Sequence, residues 1–548
     1  MLYCFYMPNI IESALSPFVQ EFIDKYQEYV ALKPLSETVV KIHVDEIASK
    51  IAGFYSYLRN IVDYQEEHLL RKGIIERTLK RYLALSQKHN SIAEPFLKEI
   101  IRSGHLPNDT VPEGRIKDLQ KIIDKYRFFI SRLSARREKD KKNIYEWLID
   151  LCACELEEKI DPPVKDNLLA SLMYQVIKDR ITIQGAQINE EQKNIQIFIN
   201  VQRSLLRVDE SQLNYRLLKF VSPNWVELNQ ENILPVAETI SSLYRRIQQY
   251  RKGSIGPVIA EVCNQYNTIF YLIWDIVFQK DKMDDSNKPT MPAPIPSLAN
   301  PEQTEKLIKA AYRKRYEKEK SKLAKLAFFS VVSFFLSKIL IALFIEIPLD
   351  KYLVHHFVAS NIIMSILFPP ILMLIIISAI KMPSEKNIKL VTEESRSVIF
   401  ADRSKKYLVR ISESRSWAGE VAMYLFYLIT FVISFGLLSW LLVKLNFSVA
   451  GIIVFLFFTS LVAVTGVKIY NRSRELSLER ERASFLYFLI DLFAMPLVTV
   501  GRWVASGLSR FNVLALIFDL AIETPLQALV VFLENFRGFI KTKKEEIY

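Results

Sequence analysis

Glycine is scarce in this chain, with 14 among 548 residues. Sites that hold a phosphate need glycine where the backbone approaches it closely, and neither GxGxxG nor GxxxxGK followed by Ser or Thr occurs. The GxSxG turn of many hydrolases and the HExxH pattern of zinc peptidases are missing as well. Scarce glycine, together with many Leu, Ile, Lys and Glu residues, favours a helical protein over an α/β enzyme. Because these catalytic motifs are missing, we expect no enzymatic activity.

Disulfide and metal frameworks are also lacking. The four cysteines, Cys4, Cys152, Cys154 and Cys263, do not have the spacing of a disulfide scaffold or a zinc site. We expect buried free thiols, no metal and no cofactor. The first residues, MLYCFYMPNI, have no basic region and no long apolar core, so they do not resemble a signal peptide. The first half of the chain is therefore expected to stay in the cytoplasm.

The net charge of +12 is concentrated in the second half of the chain. Residues 1–300 hold 40 Lys and Arg against 39 Asp and Glu, whereas residues 301–548 hold 32 against 21. A nucleic-acid-binding protein would normally carry its basic excess on a domain outside the membrane. Here the excess flanks apolar segments, which is typical of a cytoplasmic membrane face. We expect contact with an anionic lipid bilayer and no nucleic-acid partner.

Composition divides the first 325 residues into three parts. Residues 1–280 have apolar positions recurring every three or four residues, which predicts an all-helical cytoplasmic domain. Residues 281–301 contain five prolines and predict an extended linker. Residues 302–325 carry nine Lys and Arg and predict a basic juxtamembrane helix. The cluster expected at lipid headgroups comprises Arg313, Lys314 and Arg315.

Four apolar segments follow, each long enough for the roughly 20 residues that cross a bilayer. They are residues 326–349, 353–380, 421–443 and 448–467. The loop at 381–420 carries nine Lys and Arg, but the connections after the first and third segments carry one Lys each. The positive-inside rule then predicts a multi-pass protein of the cell membrane with cytoplasmic termini and two short external tips. Low glycine and the missing export features fit a bacterial cytoplasmic membrane.

The carboxyl-terminal region, residues 484–540, contains two similar apolar runs, each with one aspartate, Asp491 and Asp519. Such runs could lie in the membrane interface, re-enter the bilayer or span it as a pair. Charges are costly in hydrocarbon, so we expect amphipathic helices that are interfacial or partly inserted.

Lys338 lies near the centre of the first apolar segment, where a charge costs about 2.5–3.5 kcal/mol. Glu346 is eight residues further on, about 12 Å along an α-helix, which is too far for direct pairing within one helix. Asp491 or Asp519 could be the partner if the carboxyl-terminal helices insert. The lysine could serve an ion path or proton relay, or it could snorkel or form a structural pair between helices.

Two more features of the second apolar segment could line a cavity. Asn361 is polar, and Pro369–Pro370 is expected to break or kink the helix, which is tolerated where a helix faces protein or water. From these residues we expect a membrane-anchored interaction protein, whose helical domain recruits a cytoplasmic protein partner. The alternative is a small transporter or channel that uses an intramembrane pair of Lys338 and a carboxylate, with the cytoplasmic domain as regulator.

Overall fold

The computed structural model describes most of the chain, in ranges separated by short gaps. They are residues 2–5, 15–32, 40–44, 67–85, 91–102, 106–133, 138–184, 189–228, 232–253, 255–277, 300–353, 358–380, 382–400, 406–410, 417–478 and 485–510, with single residues at 532, 536 and 539. The linker predicted at 281–301 lies almost wholly outside the described residues. The described part is almost entirely helical, which confirms the all-α prediction.

Contacts along the chain define two compact units. The helical unit comprises residues 17–181, 187–263 and 514–548, and the span unit comprises residues 1–16, 182–186 and 264–513. The division falls within one helix, Gly256–Val277, rather than at residue 280. The second half of that helix belongs with the span unit because Asp275 accepts two hydrogen bonds from Arg315, at 2.6 and 2.9 Å.

Nine helices, with the start of a tenth, make up the described part of the helical unit. They are α1 (Pro17–Leu32), α2 (Glu67–Leu85), α3 (Ala93–Arg102), α4 (Arg115–Ser131), α5 (Glu138–Ile160), α6 (Val164–Arg180), α7 (Glu190–Leu205), α8 (Glu210–Val221), α9 (Ile233–Arg251) and α10 (Gly256–Val277). Helix starts are fixed locally: Asn189 accepts the Glu191 N–H, and Asp209 accepts the Gln212 N–H. Seven of these helices, α2 to α5 and α7 to α9, bury one continuous apolar core centred on α5.

Aromatic packing anchors that core. The ring of Trp225 stacks on Phe129 with centroids 5.3 Å apart, and its indole N–H donates to the Tyr126 hydroxyl. Lys125 is buried beside them and donates to Glu155 at 2.5 Å. Every charge in this cluster therefore has a partner, as a buried ionic group requires.

The span unit holds the long apolar helices. They are α11 (Pro301–Ile341), α12 (Ala359–Ala379), α13 (Glu385–Ile399), α14 (Trp417–Lys444), α15 (Val449–Ser473) and α16 (Phe485–Arg510). Helix α11 continues through two π-helical turns, Ala342–Glu346 and Leu349–Leu353. The helix Pro301–Tyr352 and helices α12, α14 and α15 are long and apolar enough to cross a membrane. They coincide with the four predicted segments.

A small sheet in the span unit was not foreseen in the sequence. It consists of β1 (Leu2–Phe5), β2 (Ile181–Gln184) and β3 (Lys406–Arg410) in the order β1-β3-β2. Strands β1 and β3 are antiparallel, with Leu2 opposite Val409 and Phe5 opposite Lys406. Each strand is only four or five residues long, and the partners are far apart in sequence, so no hairpin signal marks them.

The two prolines at 369 and 370 do not interrupt the helix that contains them, and the predicted kink stays a prediction. Helix α12 runs without interruption from Ala359 to Ala379, and both prolines are buried within it. Proline inside an apolar spanning helix is tolerated because neighbouring helices and local adjustments satisfy the freed backbone groups.

Helix α16 packs along α15, and Gly501 makes that packing close. A Cβ atom at Gly501 would overlap the backbone oxygen of Ser460, which lies midway along α15. Close backbone contact through a small residue is typical of helices packed within membranes. Gly501 therefore lies level with the middle of α15, and the placement of residues 484–540 relative to a membrane stays a prediction. Residues 514–531, including Asp519, lie outside the described part of the chain.

Candidate functional site: a polar pocket between the spans

The two ends of the span helices differ in chemistry. At one end, called the tip end, Ser448 Oγ donates to Asp350 at 2.5 Å and Asn361 Nδ2 donates to the Asn446 carbonyl at 2.6 Å. Both short connections therefore lie together, as the sequence predicts. At the other end, called the basic end, Arg472 pairs with Glu319 at 3.1 Å.

Lys338 forms an ion pair with Glu346 inside the candidate span. The two side chains are 0% and 2% exposed, and the ammonium donates to Glu346 Oε1 at 2.6 Å. The expectation that these residues are too far apart was wrong. The π turn Ala342–Glu346 lies between them, and i→i+5 bonding puts more residues in a turn with less rise for each. The long lysine side chain covers the remaining distance.

Two neighbouring helices complete the surroundings of the pair. Ser365, on α12, donates to Glu346 Oε1 at 3.3 Å. The Lys338 ammonium lies 5.0 Å from the centroid of the Phe458 ring on α15, within the range of a cation–π interaction. Glu346 Oε2 is buried and has no hydrogen-bond partner. A carboxylate oxygen without a partner in such a place points to a ligand.

That oxygen belongs to a residue lining a pocket at the tip end. Polar lining comes from Glu346, Asp350, Asn361, Ser365 and Ser448, and the apolar lining comes from Val358, Ile362, Phe447 and Gly451. The cavity volume is about 10 Å³, close to the space needed by one water molecule. The pocket therefore leads from the tip end to the ion pair.

Sequence reasoning placed Lys338, Glu346 and Asn361 among the intramembrane polar candidates, and the structure brings all three to this region. It missed Asp350, Ser365 and Ser448. Asp350 follows Glu346 by four residues, so a helix continued past residue 349 would have placed both carboxylates on one face. Ser448 is the residue before α15 and accepts the Gly451 N–H, a capping pattern that the sequence does contain.

An apolar cluster lies between the ion pair and the basic end. Met373, Val462 and Ile469 are 0–1% exposed, and the partly buried Val331 and Phe334 of α11 pack against them. These residues lie on the basic-end side of Lys338 and Phe458 along their helices. The cluster therefore separates the ion pair from the basic end, and it is called the apolar floor below.

At the basic end, Asn387 ties three segments together. Its amide nitrogen donates to the Tyr312 hydroxyl at 2.8 Å and to the Leu476 carbonyl at 2.7 Å, and its Oδ1 accepts the Leu478 N–H at 2.7 Å. Asn387 is fully buried. This side chain fixes α13 against α11 and the segment that follows α15.

One member of the predicted headgroup cluster is engaged by the protein instead, and lipid contact of the other two stays a prediction. Arg315 makes a bidentate pair with Asp275 and lies over the Tyr271 ring, 4.8 Å from its centroid. Its guanidinium is held by protein groups because α10 packs beside α11 at this level. Arg313 and Lys314 are exposed.

The helical unit contains a second group of buried charges. Lys72 pairs with Asp209 at 3.0 Å, and Ser211 Oγ donates to Asp150 at 2.9 Å. Burial raises the pKa of Asp150 to about 6, the Glu76 carboxylate adds to the rise, and Lys72 opposes it. These groups are largely satisfied by one another and hold α2, α5 and α8 together.

The cysteines of this unit behave as predicted. Cys152, Cys154 and Cys263 are free and buried. Burial raises the pKa of the Cys152 and Cys154 thiols well above the ordinary value, so neither is a reactive thiolate. Within the described ranges, no group of three or more His, Cys, Asp or Glu residues could hold a metal ion.

Of the remaining candidates, Asp491 lies in the first turns of α16, ten residues before Gly501. Asp519 lies outside the described residues, so its pairing with Lys338 stays a prediction. Compared with protein-family models, curated proteins and solved structures, the chain matches none. The assignment of function therefore rests on the pocket and the ion pair.

Proposed function

We propose that the span unit is a small transporter that exchanges a small polar species through the pocket, with the helical unit as its regulator. The observation that carries this proposal is the buried Lys338–Glu346 pair at the inner end of the pocket, with Glu346 Oε2 left without a partner. Charges inside a membrane are expensive and usually mark an ion or substrate path.

A structural role explains this arrangement less well. Replacing a buried ion pair with apolar side chains of similar volume is often neutral or stabilising, so stability alone gives little reason to keep the pair. A purely structural pair would also have its oxygens satisfied, yet Glu346 Oε2 has no hydrogen-bond partner, and Glu346 lines the pocket.

The apolar floor is consistent with alternating access rather than an open channel. Met373 and Val462 separate the pair from the basic end in this conformation. Transport then requires a second conformation in which this floor opens and the pocket at the tip end closes. We place this change at the π turn Ala342–Glu346, since π turns occur frequently at functional positions in helices.

Flux measurements in vesicles reconstituted with the full-length chain test the proposal. We expect flux of a small ion or polar solute above that of protein-free vesicles. Lys338→Met should reduce it strongly, because the pair is broken while the side-chain length is kept. Lys351→Met makes the same substitution at an exposed position of the tip end and serves as the matched control. If Lys338→Met kept full flux, the ionic mechanism would be wrong.

The second candidate function is a membrane-anchored interaction protein. It is favoured by the helical unit, a large part of the chain with a continuous core of its own. On this proposal the basic end faces the cytoplasm, Arg313 and Lys314 contact anionic lipids, and the helical unit binds a cytoplasmic protein. Cross-linking of the full-length chain in intact cells should then recover one partner reproducibly. Recovery of the chain alone would count against this function.

A further inference from the structure

The polar side chains that line the pocket all carry oxygen atoms that can act as ligands. Glu346 contributes the unpartnered Oε2, and Asp350 is 7% exposed with one oxygen engaged by Ser448. The amide nitrogen of Asn361 is taken by the Asn446 carbonyl, so its carbonyl oxygen is the atom left for a ligand. Carboxylate, hydroxyl and amide oxygens are the ligands that hard cations prefer.

The charge of the site has the matching sign. Glu346 and Asp350 each carry one negative charge, and the positive charge of Lys338, which is paired with Glu346, compensates one of them. The site therefore has a net charge of −1, and its three charged side chains are 0–7% exposed. An uncompensated charge in such surroundings is strongly disfavoured, and one monovalent positive charge balances it.

The size of the cavity further limits which ligands the site can hold. A cavity of about 10 Å³ admits a species no larger than a water molecule. An amino acid, a sugar or an organic ammonium ion would not fit without a rearrangement of the spans. A divalent ion would leave the site with an excess positive charge beside the Lys338 ammonium.

We propose that the pocket binds one small monovalent cation, a proton or an alkali-metal ion, between Glu346 and Asp350. This inference rests on the proposed transport function and names its ion. Ser365 and Ser448 orient the two carboxylates through the hydrogen bonds that they donate. Lys338 keeps Glu346 from holding the ion too tightly, because its own charge competes for that carboxylate.

The test uses the purified full-length chain in detergent at constant ionic strength. Choline chloride is replaced stepwise by lithium, sodium or potassium chloride while the thermal midpoint is followed. If an alkali-metal ion is the ligand, one of these salts raises the midpoint, because a ligand that binds only the folded state stabilises it. Asp350→Asn should weaken the apparent affinity about tenfold or more, equivalent to at least 1.4 kcal/mol.

Two serines on α12 provide a matched pair that keeps the charge of the site unchanged. Ser365→Ala should weaken the response, whereas Ser378→Ala should leave it unchanged because Ser378 is exposed and bonds only its own helix at Ile375. This pair keeps the inference testable if Asp350→Asn fails to fold. A response equal in the two serine variants would place the ion elsewhere and overturn the inference.

Infrared difference spectra recorded across a pH step distinguish a bound proton from a bound alkali-metal ion. If the proton is the ligand, no alkali-metal ion shifts the midpoint, and a protonated carboxyl band is lost in Glu346→Gln or Asp350→Asn. With neither an alkali-metal response nor this band, the inference is wrong. Cation binding without flux would instead overturn the transport proposal, and flux that depends on no cation would overturn this inference alone.

Discussion

The strength of the Lys338–Glu346 pair can be measured with a double-mutant cycle. The cycle uses Lys338→Met, Glu346→Gln and the variant with both changes. Methionine keeps the length of the lysine side chain and removes its charge, and glutamine keeps the shape of the glutamate. Because both native side chains are almost fully buried and 2.6 Å apart, each single change leaves one charge without its partner.

The expected magnitude follows from that burial. Leaving one charge of a buried pair uncompensated costs about 3–5 kcal/mol, whereas replacing both charges with neutral groups is often close to neutral. Each single variant should therefore lose about 3–5 kcal/mol of the free energy of unfolding. The double variant should recover most of that loss, which gives a coupling energy of several kcal/mol.

The assay is denaturant unfolding of the full-length chain in detergent micelles, followed by tryptophan fluorescence. Lys351→Met is the control, because exposed substitutions usually change stability by less than about 0.5 kcal/mol. If the double variant is less stable than the chain without substitutions by the sum of the two single losses, the residues are not coupled. The ion pair described here would then be refuted.

Three further predictions concern the packing and the buried polar groups. Gly501→Ala should lower the midpoint of thermal unfolding, by an overpacking cost of about 1–3 kcal/mol, while Gly507→Ala should not, because nothing lies within 4 Å of a Cβ there. Asn387→Ala should cost at least about 1–3 kcal/mol in unfolding free energy, since it strands buried backbone groups. The raised pKa of Asp150 means that the folded chain binds more protons than the unfolded chain between about pH 4 and 6, so its contribution to stability falls as pH rises through that window. Asp150→Asn should remove this fall and raise the free energy of unfolding at pH 7 by at most about 3 kcal/mol. The control, Asp140→Asn, lies at an exposed position of the same helix and should leave the pH profile of stability unchanged. Chemical unfolding at a series of pH values measures the stability of both variants.

The architecture could be predicted from the sequence wherever the environment of a segment determines its local residue pattern. Spans such as α14 and α15 are apolar without charge over some 20 residues, and hydrocarbon selects for that pattern directly. The location of both short connections at one end of the spans also followed, because positive charge was counted loop by loop.

The site could be predicted only in part from the sequence, because its geometry depends on departures from ideal α-helical structure. An ideal α-helix separates Lys338 from Glu346, and no sequence signal marked the π turn that brings them together. The headgroup prediction failed at Arg315 for a similar reason: its partner, Asp275, lies 40 positions earlier, beyond the predicted linker. The uninterrupted α12 shows the reverse case, in which tertiary packing overrides the local preference of two prolines.

Accessibility of two positions on α12 to a thiol reagent tests the central claim most directly. Ser365→Cys lies in the pocket, and Met373→Cys lies two turns further on, in the apolar floor. Silver ion, a monovalent cation that binds thiolates and is small enough for this cavity, should react with the first cysteine and spare the second when it is applied from the tip side to the full-length chain in vesicles. The chain without these substitutions gives the background level of reaction, which should be low because Cys152, Cys154 and Cys263 are buried. Equal protection of both positions would contradict a polar pocket that reaches the Lys338–Glu346 pair.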